Sequence, residues 1–304
     1  GMTDMRVSFA GVEFKNPIVA ASGTFGFGRE YSAFYDPGEL GAVCVKGLTL
    51  RPREGNPPPR IAETPSGILN SVGLQNPGVH AFIRDELPFL RKYDTKIIAN
   101  ISGNTVEEYR EMAEIVSDAG VDLIELNISC PNVRSGGMAF GTTPASAAEA
   151  TLAAKKGATV PLIVKLSPNV TDIAEIARAV ADSGADAISL INTLLGMRID
   201  IGTRRPVLRN NVGGLSGPAV FPIAVRMVWQ TASAVKLPIL GMGGVSSGSD
   251  AAELMLAGAS AVAVGTAMFS DPYAPIKIRD ELRGYLEASG VKRASDIIGG
   301  VLPY

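Results

Sequence analysis

The chain has 304 residues, of which 46% are hydrophobic and 19% charged, and its 28 basic and 30 acidic side chains leave a formal net charge of −2. This near-neutral charge, with no run of Lys and Arg, argues against nucleic-acid binding. Two cysteines are too few for a disulfide framework or an iron–sulfur cluster. The only histidine, His80, disfavours a His-based zinc site or a Ser-His-Asp triad.

The N-terminal sequence and the hydropathy suggest a cytoplasmic protein. We interpret Gly1, which precedes Met2, as a cloning remnant. No basic segment leads into an apolar one as in a secretion signal, and no apolar run approaches the roughly 20 residues that a membrane span needs. The few cysteines fit a reducing compartment. We therefore expect no membrane contact.

Eight short apolar runs recur along the chain, with segments of helical periodicity between them. Runs that are apolar on both faces are typical of parallel strands covered on both sides. The predicted strands are Ile18–Ala21, Ala42–Lys46, Lys96–Ile101, Leu123–Asn127, Leu162–Leu166, Ala187–Asn192, Pro238–Gly241 and Ala261–Gly265. This pattern predicts an α/β fold, a TIM (β/α)8 barrel, as a single domain over residues 1–304.

Helix signals lie between these strands. From Ile173 to Val180 the apolar residues recur at i, i+3, i+4 and i+7. Thr105 followed by Glu108 predicts a capping box. Three helices are predicted to end at a glycine before the next strand. These glycines are Gly120, Gly184 and Gly258. A doubly wound sheet is the competing fold, but residues 26–31 lack the third glycine of a dinucleotide fingerprint.

Three segments exceed what a barrel needs. Residues 3–16, with a turn near Ala10-Gly11, predict a hairpin that closes the barrel bottom. Residues 51–79 and 193–218 are long excursions after the second and sixth predicted strands. Loops of that length are usually functional. Both excursions leave from strand C-terminal ends, the face on which barrel enzymes carry their active sites.

The residues at these strand ends would meet at one mouth. They are mostly amides, hydroxyls, glycines and lysines, with almost no carboxylates. They are Ser22, Lys46, Asn100, Asn127, Lys165, Asn192, Thr193, Gly243, Gly244, Gly265 and Thr266. Such a set suits an anionic planar ligand better than glycoside hydrolysis, which needs two carboxylates, or a hard divalent cation. We predict no metal site.

Glycines follow the last two predicted strands. Gly243-Gly244 and Gly265-Thr266 predict a phosphate site, because glycine lets backbone N–H groups approach an anion closely. Helices predicted to begin at Ser249-Asp250 and Asp271-Pro272 would add favourable N-terminal dipoles. Ordinary turn glycines are the alternative interpretation.

Lys46 and Lys165 each end an apolar strand, where a charge is costly unless it is paired or used. One of them could stabilise negative charge on a cofactor ring, and either could form a Schiff base. Either could also extend to the barrel rim as a solvated lysine. Cys44 lies inside a predicted strand, where we expect it only to pack.

Cys130 lies where a buried strand opens into a loop, within the run 127–132, and Pro131 ends the strand ladder. A glycine-rich segment, 136–141, follows and could move over the ligand. A thiol here is placed to exchange a proton with a small planar ligand, although a buried cysteine that only packs is the alternative. The segment 70–77 adds amide groups at a turn, but alone it could be any polar loop.

Together these segments resemble the dihydroorotate dehydrogenases, the flavin enzymes of pyrimidine synthesis. The resemblance covers essentially the whole chain, and the order and spacing of its segments over one barrel are highly specific. The segments are Asn16–Ile18, Ala21–Gly23, Lys46, Asn70–Pro77, Asn127–Asn132, Val164–Pro168, Ile191–Thr193, Gly214–Gly217, Gly241–Val245 and Val264–Thr266.

The resemblance implies one FMN per chain, with its phosphate on the backbone of Gly243-Gly244 and Gly265-Thr266. Lys165 would lie by the pyrimidine end of the flavin and stabilise the reduced ring. The other implied FMN contacts are Ser22, Lys46, Gly47, Asn100, Asn127, Ile191 and Gly217. The implied substrate contacts are Lys46, Asn70, Ser71, Val72, Gly73, Leu74, Asn127, Asn132, Asn192 and Thr193.

The implied reaction oxidises dihydroorotate to orotate: a base removes a proton from C5 while hydride leaves C6 for the flavin. Cys130 occupies the position of that base, and a free thiol titrates near about 8.5. Membrane-anchored members carry Ser there, so this chain resembles the soluble, cysteine-containing class. Gly47 departs from the pattern, which has a hydroxyl residue at this position, and leaves only a backbone contact to flavin.

Two soluble subtypes remain. One is a homodimer that passes electrons to fumarate. The other is NAD-linked, with a homodimer core and electron-transfer subunits carrying FAD and a 2Fe-2S cluster, forming a heterotetramer. Gln75 and the run of the loops resemble the NAD-linked catalytic subunit. The rival hypotheses are a reductase of free pyrimidine bases, a lyase with a Schiff base on Lys46 or Lys165, and a non-catalytic flavin electron carrier.

Overall fold

Eight parallel strands form a closed barrel in the computed structural model. The structure describes residues 1–129, 131–132 and 138–304, with residues 131, 132 and 138 described by their backbone alone. The barrel strands, β1 to β8 in chain order, are Ile18–Ala20, Ala42–Cys44, Lys96–Ile101, Leu123–Asn127, Leu162–Lys165, Ala187–Leu190, Ile239–Gly241 and Ala261–Val264. Each strand pairs with its neighbours in sequence, and β8 closes on β1.

The barrel confirms the predicted strands, although several end one or two residues earlier than expected. β2 ends at Cys44 and β6 at Leu190, so Lys46 and Asn192 lie beyond the regular ladder. Almost every barrel position is buried, as expected for a parallel sheet that is filled inside and covered by helices outside. The residues after each strand leave the ladder because they turn into the loops at the mouth.

Helices surround the barrel. In the described part of the chain they are α1 to α9: Val79–Ala81, Leu87–Leu90, Val106–Asp118, Pro144–Gly157, Ile173–Asp182, Phe221–Ala234, Gly248–Ala257, Ala267–Ser270 and Ala274–Ala288. A π-helical turn, Phe82–Glu86, joins α1 to α2. The predicted amphipathic run falls in α5, whose Ile173, Ile176 and Val180 are buried. The three helix-ending glycines have φ values of 83°, 104° and 136°, which confirms that prediction.

The predicted capping box at α3 is only half correct. The Thr105 hydroxyl accepts a hydrogen bond from the Glu108 N–H at 3.2 Å, as expected. The Glu108 carboxylate, however, accepts from the N–H of Asn104 at 2.8 Å rather than from that of Thr105. The carboxylate reaches one residue further back, so it ties the mouth loop after β3 to the helix.

The N-terminal hairpin is present. Val7–Phe9 pairs antiparallel with Val12–Phe14, and Ala10 and Gly11 both have positive φ, which fits a two-residue hairpin turn. Phe9 and Phe14 stack with ring centroids 5.4 Å apart and are completely buried. The hairpin is thereby joined to the hydrophobic core of the barrel.

The two long excursions, which the sequence predicted without any contact between them, form one antiparallel sheet. Its four strands lie in the order Leu194–Gly196, Gly213–Ser216, Gly67–Asn70 and Ile61–Thr64. The central pair joins the first excursion to the second, with Asn70 opposite Gly214. Pairing between such distant segments leaves no local sequence signal, because the partner strand is supplied by the fold.

Candidate active site

The predicted ligand-binding residues meet at the C-terminal mouth of the barrel. The hydroxyl of Ser22, after β1, donates to the carbonyl of Val45, after β2, at 2.7 Å. The hydroxyls of Thr266, after β8, and Ser216, in the excursion sheet, lie 2.9 Å apart. Lys165 is in register with Asn127. Residues from the first, middle and last strands therefore lie on one rim.

A buried polar cluster lies inside the barrel beneath this rim. The Glu125 carboxylate, in β4, is 1% exposed. It accepts hydrogen bonds from Asn100 Nδ2 at 2.7 Å and Ser189 Oγ at 2.9 Å. Cys44 Sγ donates to the same carboxylate at 3.4 Å, so Cys44 does more than pack. Burial, and then the charge of Glu125, raise the pKa of the Cys44 thiol well above its ordinary value.

Glu125 is the functional candidate that the sequence analysis missed. It lies two residues before the end of β4, so it does not belong to the strand-end residues from which the site was predicted. The available signal was a single charged residue inside the apolar run 123–126. Because successive side chains of a strand point to opposite faces, positions 123, 125 and 127 share one face. The prediction of a mouth almost free of carboxylates holds for the strand ends but not for the layer below them.

Lys165 is the buried cation of the site. It is the last residue of β5 and is 9% exposed. Within the described ranges its ammonium makes no ion pair or hydrogen bond. A buried charge without a partner is costly, so this position favours an anionic ligand group. Its charge also acts on Cys44, where it opposes the rise in the thiol pKa.

Lys46 lies at the same mouth and is half-buried. Burial lowers the pKa of its ammonium, the charge of Arg60 lowers it further, and Glu30 opposes both effects. Arg60 belongs to the first excursion, where it donates to the side chain of Gln75 at 2.5 Å. Two cations thus lie close enough together for the charge of Arg60 to act on Lys46.

Glycines shape a cradle at the ends of β7 and β8. A cavity of about 290 Å³ is lined here by residues that include Gly217, Gly244, Ser246 and Thr266. Gly244 has a φ of 77°, and a Cβ on it would lie 2.5 Å from the carbonyl oxygen of Gly217. The backbone is therefore exposed to the cavity in a form that only glycine allows, which suits close approach of an anion.

The helices near this cradle differ partly from the prediction. α7 begins at Gly248, one residue before the predicted Ser249, with the Ser247 hydroxyl accepting from the Asp250 N–H at 3.1 Å. Asp271-Pro272 does not begin a helix. It lies between the short α8 and α9, and the Asp271 carboxylate accepts from the N–H of Tyr273 and pairs with Lys277. The sequence missed α8 because a four-residue helix has no periodicity.

The first excursion brings its turn over the mouth. Ser71 accepts a hydrogen bond from the Asn56 side chain at 3.0 Å, and its N–H donates to the carbonyl of Arg60. A Cβ on Gly47 would lie 3.0 Å from the Leu74 side chain and 3.1 Å from Asn100 Oδ1. The glycine at position 47 therefore leaves room where Leu74 and Asn100 converge, a physical reason for its departure from the expected hydroxyl residue.

The loops after β4 and β6 are joined to each other. Asn192 Nδ2 donates to the Ser129 hydroxyl at 2.9 Å, and Asn127 Oδ1 accepts from the Ser129 N–H at 2.9 Å. The buried Ile191 precedes Asn192. Cys130 and the side chain of Asn132 lie outside the described residues, so their predicted roles stay predictions.

Metal-binding clusters and membrane-spanning helices are two further features that bear on the function. Among these residues no group of three or more His, Cys, Asp or Glu side chains could hold a metal ion. None of the helices that the structure describes combines the length and the hydropathy needed to cross a membrane.

Comparisons with known proteins agree with this geometry. The family model described as "Dihydroorotate dehydrogenase" matches residues 4–286. The chain belongs to the dihydroorotate dehydrogenase family. It is 60% identical, over 97% of its length and 98% of the relative's, to the "Dihydroorotate dehydrogenase B (NAD(+)), catalytic subunit" of Alkaliphilus oremlandii. Proteins of the same name from Alkaliphilus metalliredigens and Thermoanaerobacter pseudethanolicus are 58% and 54% identical over 98% of this chain.

These findings confirm the resemblance inferred from the sequence, including its NAD-linked subtype. They favour neither the Schiff-base lyase nor the reductase of free pyrimidine bases. The relatives match over almost their whole length, so the segments that form the mouth loops and the excursion sheet fall within the matched sequence.

Gly244→Ala should destabilise the dihydroorotate dehydrogenase fold at the glycine cradle. The new Cβ would require a left-handed conformation and would clash with the carbonyl of Gly217, so we expect a loss of about 2 kcal/mol or more in urea unfolding. Gly265→Ala is the matched control, because its Cβ would meet Ala21 at an ordinary 3.5 Å. Equal stability of the two variants would contradict the steric argument.

Proposed function

We propose that this protein oxidises dihydroorotate to orotate in pyrimidine biosynthesis, with FMN bound in the barrel mouth. Electrons would pass to NAD(+) through a separate electron-transfer subunit that carries FAD and a 2Fe-2S cluster. The observation that carries the proposal is the buried ammonium of Lys165, which has no ion-pair partner in the described chain, in a barrel of the dihydroorotate dehydrogenase family.

The residues of the mouth fit FMN. The backbone of Gly243, Gly244, Gly265 and Thr266 would hold its phosphate in the cradle, where Gly244 leaves no space for a side chain. Lys165 would lie beside the pyrimidine end of the ring and balance its negative charge. The remaining proposed contacts are Ser22, Lys46, Gly47, Asn100, Asn127, Ile191 and Gly217.

The polar groups that remain would hold the substrate. Lys46 would neutralise the carboxylate of dihydroorotate, and the turn 70–74 would cover its ring. Asn127, Asn132, Asn192 and Thr193 would bind its ring amides. The Asn192 amide donates one of its N–H groups to Ser129, which leaves the other free to donate.

FMN, when bound, accepts the hydride that leaves C6 of dihydroorotate. We assign the matching proton removal at C5 to the thiolate of Cys130, so that the C5–C6 single bond becomes a double bond. The excursion sheet and the mouth loops would exclude water from this step. A closed, water-poor site strengthens the electrostatic contribution of both lysines.

The proposed assembly is a homodimer core with two electron-transfer subunits. Exposed apolar side chains on the strands of the excursions support a homodimer contact there: Ile61 is 60% exposed, Leu195 66% and Ile199 55%. The single-domain organisation and the cytoplasmic location inferred from the sequence remain part of this proposal.

Anaerobic addition of dihydroorotate should bleach the flavin absorption of the purified protein, and this is the decisive test. We then expect no reoxidation by NAD(+) or fumarate alone, because electrons must leave through the partner subunit. Reoxidation by fumarate would instead indicate the self-sufficient homodimer. Absence of bleaching would overturn the substrate assignment and favour the base reductase or the lyase, and borohydride trapping on lysine would identify the latter.

Cys130→Ser should retain FMN but slow flavin reduction by about 100-fold or more at neutral pH, because a serine hydroxyl without an activating partner is a far weaker base. Stopped-flow bleaching by dihydroorotate measures this rate. Cys44→Ser is the matched control, since its hydroxyl can still donate to Glu125 in the buried cluster. Equal rates in Cys130→Ser and the unmodified protein would contradict the assignment of the base.

Orotate binding should weaken on the alkaline side at a lower pH than an ordinary lysine would produce. Burial and Arg60 lower the pKa of Lys46, so its ammonium loses its proton, and its attraction for the orotate carboxylate, earlier as the pH rises. The measurement is the dissociation constant of orotate, followed by the flavin spectrum of the holoenzyme. Lys46→Arg stays charged throughout and should lose this early alkaline weakening; parallel profiles would rule out Lys46 as the titrating group.

A further inference from the structure

Glu125 is a buried carboxylate whose hydrogen-bond partners are all neutral. Its oxygens accept from Asn100, Ser189 and Cys44, and within the described ranges it makes no salt bridge. Burying a carboxylate costs desolvation free energy, and hydrogen bonds from neutral groups compensate it less well than an ion pair would. Its presence at the centre of the barrel, one layer below the mouth, therefore calls for a role beyond packing.

The contact with Asn100 has a direct consequence for the mouth. Asn100 Nδ2 donates to Glu125 Oε1 at 2.7 Å, and Asn100 itself is 2% exposed. Its Oδ1 lies on the side of Gly47: a Cβ added to Gly47 would be 3.1 Å from Asn100 Oδ1. A flipped amide would turn Oδ1 against the carboxylate, two acceptors without a hydrogen between them. Asn100 therefore presents only a carbonyl oxygen to the mouth.

We propose that Glu125 is a positioning residue that locks the Asn100 amide as a hydrogen-bond acceptor for a ring N–H of the flavin. This inference rests on the proposed FMN site. Oxidised flavin has one ring N–H, at N3, and a free amide could equally offer that group a repelling NH₂. Glu125 holds the Asn100 amide in the productive orientation before the ligand arrives. The binding free energy of FMN is therefore not reduced by the entropy of ordering Asn100.

Ser189 and Cys44 complete the lock from the other sides. Ser189, on β6, holds Oε2, and Cys44, on β2, adds a donor to Oε1. The buried thiol keeps its proton and so remains a donor. With three donors arranged around it, the carboxylate has a single orientation, and its position is fixed relative to the three other strands β2, β3 and β6.

The test compares FMN with N3-methyl-FMN, which lacks the ring N–H, by fluorescence titration of flavin-free protein. In the unmodified protein the methyl analogue should bind about tenfold more weakly, the value of one hydrogen bond. In Glu125→Leu, FMN itself should weaken about tenfold, and the preference for FMN over the analogue should fall below about threefold. The N3–H nitrogen resonance of labelled FMN should shift in the same variant.

Two controls separate orientation from charge. Glu125→Gln keeps a carbonyl for Asn100 and can donate its NH₂ to the Ser189 hydroxyl, so it should retain the preference for FMN. Ser189→Ala removes one of the donors that orient the Glu125 carboxylate but leaves its contact with Asn100, so it should lower the preference for FMN less than Glu125→Leu does. Equal loss in the Gln and Leu variants would show that the charge, rather than the orientation of Asn100, matters, and would overturn the proposal.

The remaining outcomes are also decisive. If Glu125→Leu does not fold, Glu125→Met, which keeps the chain length without an acceptor, takes its place. If neither folds, Glu125 is structural and the proposal fails. If the unmodified protein does not bind FMN, the proposed function fails. If it binds FMN and the variants keep the full preference, only the positioning role is overturned.

Discussion

Closure of the parallel barrel is the constraint on which the rest of the molecule depends. β8 pairs with β1 through Val262–Val264 and Ile18–Ala20, and this contact turns an open sheet into a ring. Because all eight strands run in the same direction, closure places all their C-terminal ends on one rim. Barrel closure is therefore what brings residues from the beginning and the end of the chain, such as Ser22 and Thr266, to the same mouth.

The interior of the barrel near this rim carries opposite charges in successive layers. Lys165 is in register with Asn127, so it lies one side-chain layer nearer the mouth than Glu125. The lower layer is satisfied internally, since Glu125 accepts three hydrogen bonds from its neighbours. In the upper layer the Lys165 ammonium has no hydrogen-bond or ion-pair partner within the described chain, so it is available to a ligand. Electrostatics therefore attract an anion to the mouth rather than into the barrel.

The excursion sheet supplies the wall that a bare barrel lacks. Its central strands, Gly67–Asn70 and Gly213–Ser216, come from different excursions and hold each other by a backbone ladder. The sheet carries the turn with Leu74 to the neighbourhood of Gly47 and brings Gly214 against Thr193. A regular sheet fixes these loops more firmly than isolated loops of the same length could be fixed, which suits a site that must exclude water.

The barrel, the hairpin and the residues of the rim can be predicted from the sequence, because apolar runs, helix periodicity and strand-end residues are local patterns that the chain carries in order. The sequence also pointed to the family through the order of segments around Cys130 and Lys165. The pairing of the two excursions, the room that Gly47 leaves for Asn100 and the hydrogen-bond partners of Glu125 emerge only in the folded structure. Each of these depends on which side chains meet across different strands. A charged residue inside an apolar run gives no sign of its partners until closure of the barrel brings β2, β3 and β6 around it.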